Sequence, residues 1–219
     1  MLALRGVHKS FATPRSLGGL LRGAPHEIVK VLDGIELTVA AGEVVAIEGA
    51  NGAGKSTLLR LAAGLLLPDA GTIVIDAIAP GTKRREAARR YGYVPGDDRG
   101  LPQRATVRQT LALFAALRGV DDAAPLVDEL LDKRIAELST GQRRRVQLAC
   151  ALLDPNARLL LLDEPTRGLD QEQSARLWAE LAARRERGAA VLVASHSAEE
   201  RAALGARVLR LDGGKASVA

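Results

Sequence analysis

Apolar residues along this chain fall into short strand-like runs that alternate with longer helical patterns. The strand-like runs cover residues 29–39, 44–47, 72–75, 91–94, 159–162, 190–194 and 207–211. Helical patterns cover residues 55–63, 107–118, 143–153, 171–187 and 198–204. Strands that alternate with helices along a whole chain predict an α/β fold.

Two of the strand-like runs, residues 159–162 and 190–194, are apolar at every position. Such runs are typical of parallel strands that are covered on both faces, so we expect a mainly parallel sheet. Turn signals at residues 33–34 and 41–42 instead favour antiparallel hairpins in the first part of the chain. The expected architecture therefore joins a parallel sheet to an N-terminal antiparallel β subdomain.

The chain carries few signals of targeting or of membrane insertion. Residues 1–9 lack the apolar core of a signal peptide and favour a short strand followed by a turn. Residues 13–25 contain prolines and glycines and favour an exposed loop, and every apolar stretch falls below the roughly 18 residues of a membrane span. The single cysteine, Cys150, cannot form an internal disulfide, so we expect a cytosolic chain.

Size and charge favour one soluble domain without a nucleic-acid partner. At 219 residues the chain can bury one α/β core, and we expect a single domain over residues 1–219. The formal charge is +5, but the arginines occur in pairs and triplets interrupted by acids, with few aromatic residues beside them. That pattern is typical of solvated helix faces rather than of a nucleic-acid interface.

A phosphate-binding loop is the first chemical motif. Residues 49–56 fit the pattern G-x-x-x-x-G-K-[ST] between a predicted strand and a predicted helix, and Thr57 follows. The loop consists of Gly49, Ala50, Asn51, Gly52, Ala53, Gly54, Lys55 and Ser56. In such a loop Lys55 can reach the β- and γ-phosphates, and Ser56 can offer its hydroxyl to Mg²⁺. The motif predicts that the chain binds a nucleoside triphosphate.

Two carboxylates end the apolar run at residues 159–162. Asp163 and Glu164 would stand at the carboxyl edge of the sheet, where α/β proteins bind ligands. Asp163 can hold Mg²⁺, and Glu164 can orient or deprotonate an attacking water. Taken alone, this pattern also fits an ordinary strand end that leads into a solvated turn.

The third motif, Leu138-Ser139-Thr140-Gly141-Gln142, precedes a basic helix and lies before the acidic strand. With it the chain resembles the nucleotide-binding subunit of an ATP-binding cassette (ABC) transporter, whose signature is commonly L-S-G-G-Q. Thr140 replaces the first glycine. The resemblance implies that Ser139, Gly141 and Gln142 contact nucleotide, whereas in isolation Ser139 would be taken for the N-cap of a surface helix.

Further residues follow the order of the same family. Gly168-Leu169-Asp170 resembles the family's D-loop, and His196 resembles the switch histidine that contacts the γ-phosphate. Phe11 matches the aromatic residue that stacks on adenine, although it could equally belong to a core. The resemblance implies a P-loop NTPase core and a small helical subdomain at approximately residues 100–155. It also implies Lys55, Glu164 and His196 as catalytic residues.

The chain departs from the family after the run at residues 91–94. A glutamine is usual there, but this chain has Gly96, followed by Asp97 and Asp98. Glycine has no side chain with which to bind Mg²⁺ or to orient water. Either one of the aspartates reaches the metal-bound water, in which case Gly96→Gln should partly rescue the activity lost when that aspartate is neutralised, or both are solvated turn residues. The region of residues 103–138 is also short for one that contacts membrane subunits.

The resemblance implies Mg²⁺-dependent ATP hydrolysis at an interface between two cassettes, because the chain holds one phosphate loop and one signature. The expected partners are a second copy or a paralogous ATPase subunit, and a separately encoded transmembrane permease. That places the chain in the cytoplasm, peripheral on the inner face of the membrane. The motifs look most like cassettes of small bacterial exporters of the ABC-2-like type. A soluble ABC ATPase of a non-transport assembly and a catalytically weak regulatory cassette remain as alternatives.

Overall fold

A computed structural model describes residues 1–12, 27–97, 100–120, 127–195 and 197–218. Within these residues the strands are β1 (Leu2–Ala12), β2 (Ile28–Val39), β3 (Val44–Glu48), β4 (Ala70–Ile75), β5 (Tyr91–Val94), β6 (Leu159–Asp163), β7 (Ala190–Ala194), β8 (Arg207–Asp212) and β9 (Lys215–Val218). The α-helices are α1 (Lys55–Ala62), α2 (Arg84–Ala88), α3 (Val107–Arg118), α4 (Thr140–Leu152), α5 (Gln171–Glu186) and α6 (Ala198–Ala203). Two short 3₁₀ helices lie at Asp128–Leu130 and Ile135–Glu137.

The main sheet has the strand order β5-β6-β7-β3-β8-β9. Its strands are parallel from β5 to β8, and only β9 is antiparallel. Every residue of β6 and β7 is buried, which explains why both strands are apolar throughout their central positions. The parallel arrangement brings the carboxyl ends of β5, β6, β7 and β3 to one edge of the sheet.

A second, antiparallel sheet has the order β2-β1-β4 and confirms the expected N-terminal β subdomain. The expected turn at residues 33–34 is wrong, because Asp33 and Gly34 lie inside β2. Gly34 has a φ of +69°, and the pairing of β1 with β2 shifts register at this point. A local irregularity in a long strand therefore absorbs a dipeptide that usually makes a turn. The turn at residues 41–42 is present, but it joins strands of two different sheets.

Three apolar clusters fill the molecule. The first lies between the two sheets and includes α1, and the second lies on the opposite face of the main sheet with α4 and α5. The third cluster packs α3, the 3₁₀ helices and one face of α4, over residues from Leu101 to Leu153. Helix α4 contributes to the last two clusters, so it joins the helical region to the sheet that carries the strand ends.

The sequence pattern also misjudged several smaller features. Strand β1 extends to Ala12, past the turn expected after residue 9, and β9 was not expected at all. Helix α4 begins at Thr140 rather than at residue 143, so the signature forms its first turn instead of preceding it. The loop expected at residues 13–25 lies outside the described residues, as do Asp98 and His196.

Candidate nucleotide-binding site

The glycine-rich loop joins the carboxyl end of β3 to the start of α1. A Cβ atom on Gly49 would lie 2.4 Å from the carbonyl oxygen of Leu211, so the loop leaves β3 through a space that only glycine fits. Gly54 is the N-cap of α1 and has a φ of 101°, which glycine adopts without strain. The glycines therefore let the chain fold tightly around the first turn of α1, where backbone N–H groups can bind an anion.

Lys55 holds the loop together from within. Its side chain is buried, and its Nζ donates hydrogen bonds to the carbonyl oxygens of Gly49 at 2.7 Å and Ala50 at 3.0 Å. The ammonium group thus lies inside the loop, at the place where phosphate oxygens would arrive. This position fits a lysine that binds the β- and γ-phosphates as a point charge.

Asp163 ends β6 and is almost fully buried, at 2% exposure. Burial raises the pKa of its carboxyl above the ordinary value of 3.8, while a hydrogen bond with the Ser56 side chain acts in the opposite direction. Its Oδ2 atom is buried and has no hydrogen-bond partner among the residues that the structure describes. A buried carboxylate oxygen without a partner, beside the hydroxyl of Ser56, fits a divalent cation that the two residues would bind together.

The described residues contain no cluster of three or more His, Cys, Asp or Glu side chains that could hold a metal ion. The protein groups at Asp163 and Ser56 could therefore supply only part of a coordination sphere. Mg²⁺ usually keeps several waters and binds through one or two carboxylates together with phosphate oxygens. The pair fits Mg²⁺ held jointly with a triphosphate.

Glu164 follows Asp163 in an unusual backbone conformation, with a φ of 48°. Its N–H donates to the carbonyl oxygen of Ala194 at 3.0 Å, and its own carbonyl accepts from the N–H of Arg167 at 3.1 Å. A non-glycine residue in the left-handed region carries strain, and such residues concentrate at functional sites. The turn sets Glu164 directly after the buried carboxylate of Asp163.

Gly96 brings the backbone after β5 against the carboxylate of Asp163. A Cβ atom at this position would lie 2.6 Å from Asp163 Oδ2, so no side chain fits without a shift. This contact counts against the expectation that Gly96→Gln would partly rescue a variant with a neutralised aspartate. The Asp97 carboxylate lies 3.9 Å from Arg60 Nη2, and its backbone carbonyl accepts from the Gln147 side chain at 2.8 Å.

The signature residues form a helix start. Ser139 is the N-cap of α4: its hydroxyl accepts from the N–H of Gln142 at 3.2 Å, and its N–H donates to Gln142 Oε1 at 3.0 Å. A Cβ atom on Gly141 would lie 2.3 Å from the carbonyl oxygen of Gly168, which places the signature beside the loop before α5. Ser139 is exposed at the end of the helix and free to face a second molecule.

The structure also describes Phe11, Asp170 and the residue before His196. Phe11 is 40% exposed near the end of β1, and Lys9 Nζ lies 5.5 Å from its ring centre. Asp170 is the N-cap of α5 and accepts from the N–H of Gln173 at 2.7 Å. Ser195 follows the end of β7, one residue before His196, and its side chain donates a hydrogen bond to Glu200.

Sequence reasoning missed three side chains that brace this site. Glu200 also accepts from the Thr166 hydroxyl at 2.5 Å, so it ties the turn after β6 to the turn after β7. Arg144 and Gln147, on α4, are both buried polar residues that bond to the turns after β5 and β6. Helical spacing does not distinguish Arg144 from its neighbour, since Arg145 also precedes a core residue, Ala149, by one turn.

Comparison with known families agrees with this arrangement. The model of a family described as "ABC transporter" matches residues 32–167, which include the glycine-rich loop, the signature and the acidic end of β6. The chain belongs to this family. Its membership confirms the resemblance that the motifs carried and the α/β fold expected with them.

Two exporter proteins are among the relatives of this ABC family member. The Nod factor export ATP-binding protein I of Burkholderia lata is 38% identical over 197 residues, which cover 84% of this chain and 64% of the relative. The protein of the same name from Rhizobium sp. (strain N33) is 36% identical over 196 residues, with the same coverage of 84% and 64%. The chain therefore spans less than two thirds of the length of these relatives.

Solved structures of ABC proteins share the fold. The dimeric bacterial ABC transporter cassette MJ0796 superimposes with a TM-score of 0.84 at 26% identity, over 99% of this chain and 97% of that one. An ATP-binding subunit of an ABC transporter gives a TM-score of 0.85 at 24% identity, over 100% of this chain and 89% of that one. Among the residues described for this ABC family member, no helix is long and apolar enough to cross a membrane.

Proposed function

We propose that this chain is the ATP-binding subunit of an ABC transporter and hydrolyses ATP in a Mg²⁺-dependent reaction. The observation that carries the proposal is the meeting of three features at one edge of the main sheet. They are the glycine-rich loop after β3, the buried carboxylate of Asp163 with its unpartnered oxygen, and the Glu164 carboxylate next to it. Membership of the ABC family supports the assignment to ATP.

Each group has a role that follows from its position. The loop of residues 49–56 binds the phosphates, and Lys55 contributes its positive charge to the β- and γ-phosphates. Ser56 and Asp163 hold Mg²⁺, which neutralises charge on the phosphate oxygens when it is bound. Glu164 orients the attacking water and accepts its proton as the bond from the γ-phosphorus to ADP breaks. Phe11 stacks on adenine, and His196 contacts the γ-phosphate.

The working unit is a dimer of cassettes. The chain carries one glycine-rich loop and one signature, and Ser139 of the signature is exposed at the start of α4. Two copies, or one copy and a paralogous subunit, complete each ATP site when the loop of one meets the signature of the other. Similarity to a dimeric ABC transporter cassette supports this arrangement. Ser139, Gly141, Gln142 and Asp170 then contact nucleotide or the partner across the interface.

The membrane partner is a separately encoded permease that docks beside α3. A cleft of about 300 Å³ opens here, lined by apolar side chains that include Leu65, Tyr93, Leu101 and Phe114. Leu117 is 64% exposed on the same helix. A partner that buries this apolar surface would hold the chain on the cytoplasmic face of the membrane. Because relatives are named as export proteins, we propose that the assembly exports its substrate.

The chemical part of the proposal is tested with three variants of the purified chain. Glu164→Gln should lower ATP turnover about a hundredfold or more while ATP binding stays intact, because it removes the proton acceptor. Lys55→Ala should instead weaken ATP binding. Glu172→Gln makes the same chemical change at an exposed position of α5 and should leave both quantities unaltered. Full turnover in the Glu164→Gln protein would remove the role given to Glu164.

The transport part is tested by co-purification from detergent-solubilised membranes of the native host. We expect the chain to retain an integral membrane protein, and Leu117→Glu to weaken that retention because it places a charge in the apolar surface. Recovery of the chain with soluble proteins alone would support the alternative of a soluble ABC ATPase that serves a non-transport assembly.

A further inference from the structure

Arg144 of α4 is a buried arginine, at 2% exposure, that bonds to the backbone on both sides of Glu164. Its guanidinium donates to the carbonyl oxygens of Asp163, of Glu164 at 2.6 Å and of Pro165 at 3.3 Å. It also donates to the carbonyl oxygen of Pro95, after β5. One planar side chain thus bonds to the turns that follow two adjacent strands.

The contact with Glu164 matters because that residue is strained. The left-handed φ of 48° persists only where the surroundings over-determine the backbone. Ala194 fixes the Glu164 N–H from β7, and Arg144 bonds to the carbonyl oxygens before, at and after Glu164. The direction in which the Glu164 carboxylate leaves the backbone therefore depends on Arg144.

Gln147 extends this arrangement by one turn of α4. It is 4% exposed, and its Oε1 accepts from Arg144 Nη1 at 2.9 Å. Its Nε2 donates to the carbonyl oxygen of Asp97 at 2.8 Å, directly after Gly96. Gln147, Pro95 and Asp97 also line the apolar cleft beside α3. Two hydrogen bonds therefore lead from the lining of the cleft to the backbone of Glu164.

We propose that Arg144 is a positioning residue for ATP hydrolysis and that Gln147 links it to the cleft. Arg144 holds Glu164 in its active direction, and Gln147 ties that hold to the turn where the chain has Gly96 and no glutamine. A change at the cleft then alters the Glu164 turn through Gln147 and Arg144. This inference rests on the proposed ATPase function, because it assumes that Glu164 acts in ATP hydrolysis.

The first test replaces Arg144 by lysine, which keeps the charge but cannot bond to several carbonyl groups at once. We expect Arg144→Lys to lower the kcat for ATP at least about tenfold, with the KM for ATP within about threefold, because only the direction of Glu164 changes. In a Glu164→Gln background the same change should lower residual turnover by less than about twofold, since both act on one group.

Arg184 offers a matched control. It is also buried, at 4% exposure, and donates to the carbonyl oxygens of Leu152 at 2.5 Å and Asp154 at 2.7 Å, away from Glu164. Arg184→Lys should lower the melting temperature while kcat stays within about twofold of the wild type. Equal losses of kcat in Arg144→Lys and Arg184→Lys would reduce Arg144 to a structural residue and overturn the proposal.

Gln147→Leu provides a second test that does not depend on the folding of an Arg144 variant. Leucine nearly preserves the volume of glutamine but removes the bonds to Arg144 and to the Asp97 carbonyl. We expect a loss of kcat of about fivefold or more, again with the KM for ATP within about threefold. Unchanged kcat in this variant would overturn the link to the cleft.

The wild-type chain separates failure of this inference from failure of the proposed function. If the wild type bound ATP but neither it nor its membrane complex hydrolysed it, the ATPase proposal itself would be wrong. If the wild type hydrolysed ATP and both Arg144→Lys and Gln147→Leu matched it, only the positioning roles would be wrong.

Discussion

At the scale of single residues, Asp163 is a buried carboxylate whose charge is poorly compensated. Its Oδ2 lacks a hydrogen-bond partner within the described part of the chain, and burial raises the pKa of its carboxyl. Without a cation, the ionised form is therefore costly in the folded state and easily accommodated in the unfolded state. Asp163 is therefore suited to bind Mg²⁺, but it lowers the stability of the folded protein when Mg²⁺ is absent.

Asp163→Asn should stabilise the metal-free protein. A raised folded-state pKa means that the native carboxyl binds protons more tightly than the unfolded one, so wild-type stability falls as the pH rises through that pKa. We expect the variant to exceed the wild type by about 1 kcal/mol in free energy of unfolding at neutral pH in EDTA. The difference should shrink as the pH falls below the raised pKa of Asp163, because the wild-type carboxyl is then protonated.

Urea unfolding at several pH values measures this effect. Mg²⁺ with an ATP analogue should stabilise the wild type more than Asp163→Asn, and Asp132→Asn, at an exposed carboxylate, serves as the control. A variant less stable than the wild type at every pH would contradict the account of an uncompensated buried charge.

Gly96→Ala tests the approach of the backbone to Asp163. The new methyl group would lie 2.6 Å from Asp163 Oδ2, so it should displace the carboxylate and raise the Mg²⁺ concentration needed for half-maximal ATPase activity about tenfold. Gly81→Ala is the control, because its methyl group meets only the end of the flexible Leu67 side chain, at 2.9 Å. An unchanged Mg²⁺ requirement would show that Asp163 can move without loss.

At the scale of elements, the first residues of a helix can stabilise the helix, bind a ligand, or do both. Helices α3 and α4 begin with the same reciprocal pair of bonds, between Thr106 and Gln109 and between Ser139 and Gln142, with matching lengths of 3.0 and 3.2 Å. Such a capping box stabilises a helix whatever else its residues do. The two boxes therefore form a natural comparison between a structural cap and a cap that also serves a ligand.

Ser139→Ala and Thr106→Ala should each lower the free energy of unfolding by about 1 kcal/mol. Only Ser139→Ala should also weaken ATP-dependent dimerisation, by about tenfold, since that hydroxyl is proposed to contact a phosphate of the partner's ATP. Thermal denaturation and light scattering with ATP measure the two effects. Equal dimerisation of both variants would leave Ser139 with capping alone.

The elements also show which parts of a fold are accessible from sequence. Strands β6 and β7 were predictable because burial on both faces demands apolar residues throughout. Strand β9 was missed although it pairs with β8 across the two-residue turn Gly213-Gly214, a dipeptide typical of hairpins, because its four residues form too short an apolar pattern to stand out. The Asp33-Gly34 pair looked like a turn, but partners across the sheet override such local preferences.

The candidate site divides in the same way. The residues of the glycine-rich loop, with Asp163 and Glu164, could be predicted because they belong to short sequence motifs that indicate phosphate and metal binding. Arg144 could not, because it lies in a run of arginines that resembles a solvated helix face. Only the packing of α4 against the sheet distinguishes it from its neighbours, since Arg145 pairs instead with Glu129 at 2.5 Å.

At the scale of the whole molecule, the proposed sites are incomplete in one chain. The glycine-rich loop belongs to the main sheet, whereas the signature packs beside Gly168 at the loop before α5. ATP held by the loop of one chain can join it to the signature of a second chain. The assembly is therefore expected to form and separate with the nucleotide cycle.

The Glu164→Gln protein should be a monomer without nucleotide and a dimer with ATP, because it retains the triphosphate that joins the two chains. Size-exclusion chromatography with light scattering measures the mass directly. Adding Ser139→Arg should abolish the dimer, since a bulky side chain would stand between the signature and the phosphates. An unchanged mass of Glu164→Gln on addition of ATP would indicate that a different chain supplies the second half.

Helix α4 has a consequence for the timing of such a dimer. Its first turn carries the signature, which we propose contacts the ATP of the partner. Arg144, in its second turn, donates a hydrogen bond to the Glu164 carbonyl oxygen of its own chain. The first two turns of one helix thus contact both proposed ATP sites. A conformational change at one ATP site therefore affects the other site. Turnover by the dimer should consequently rise sigmoidally with ATP concentration.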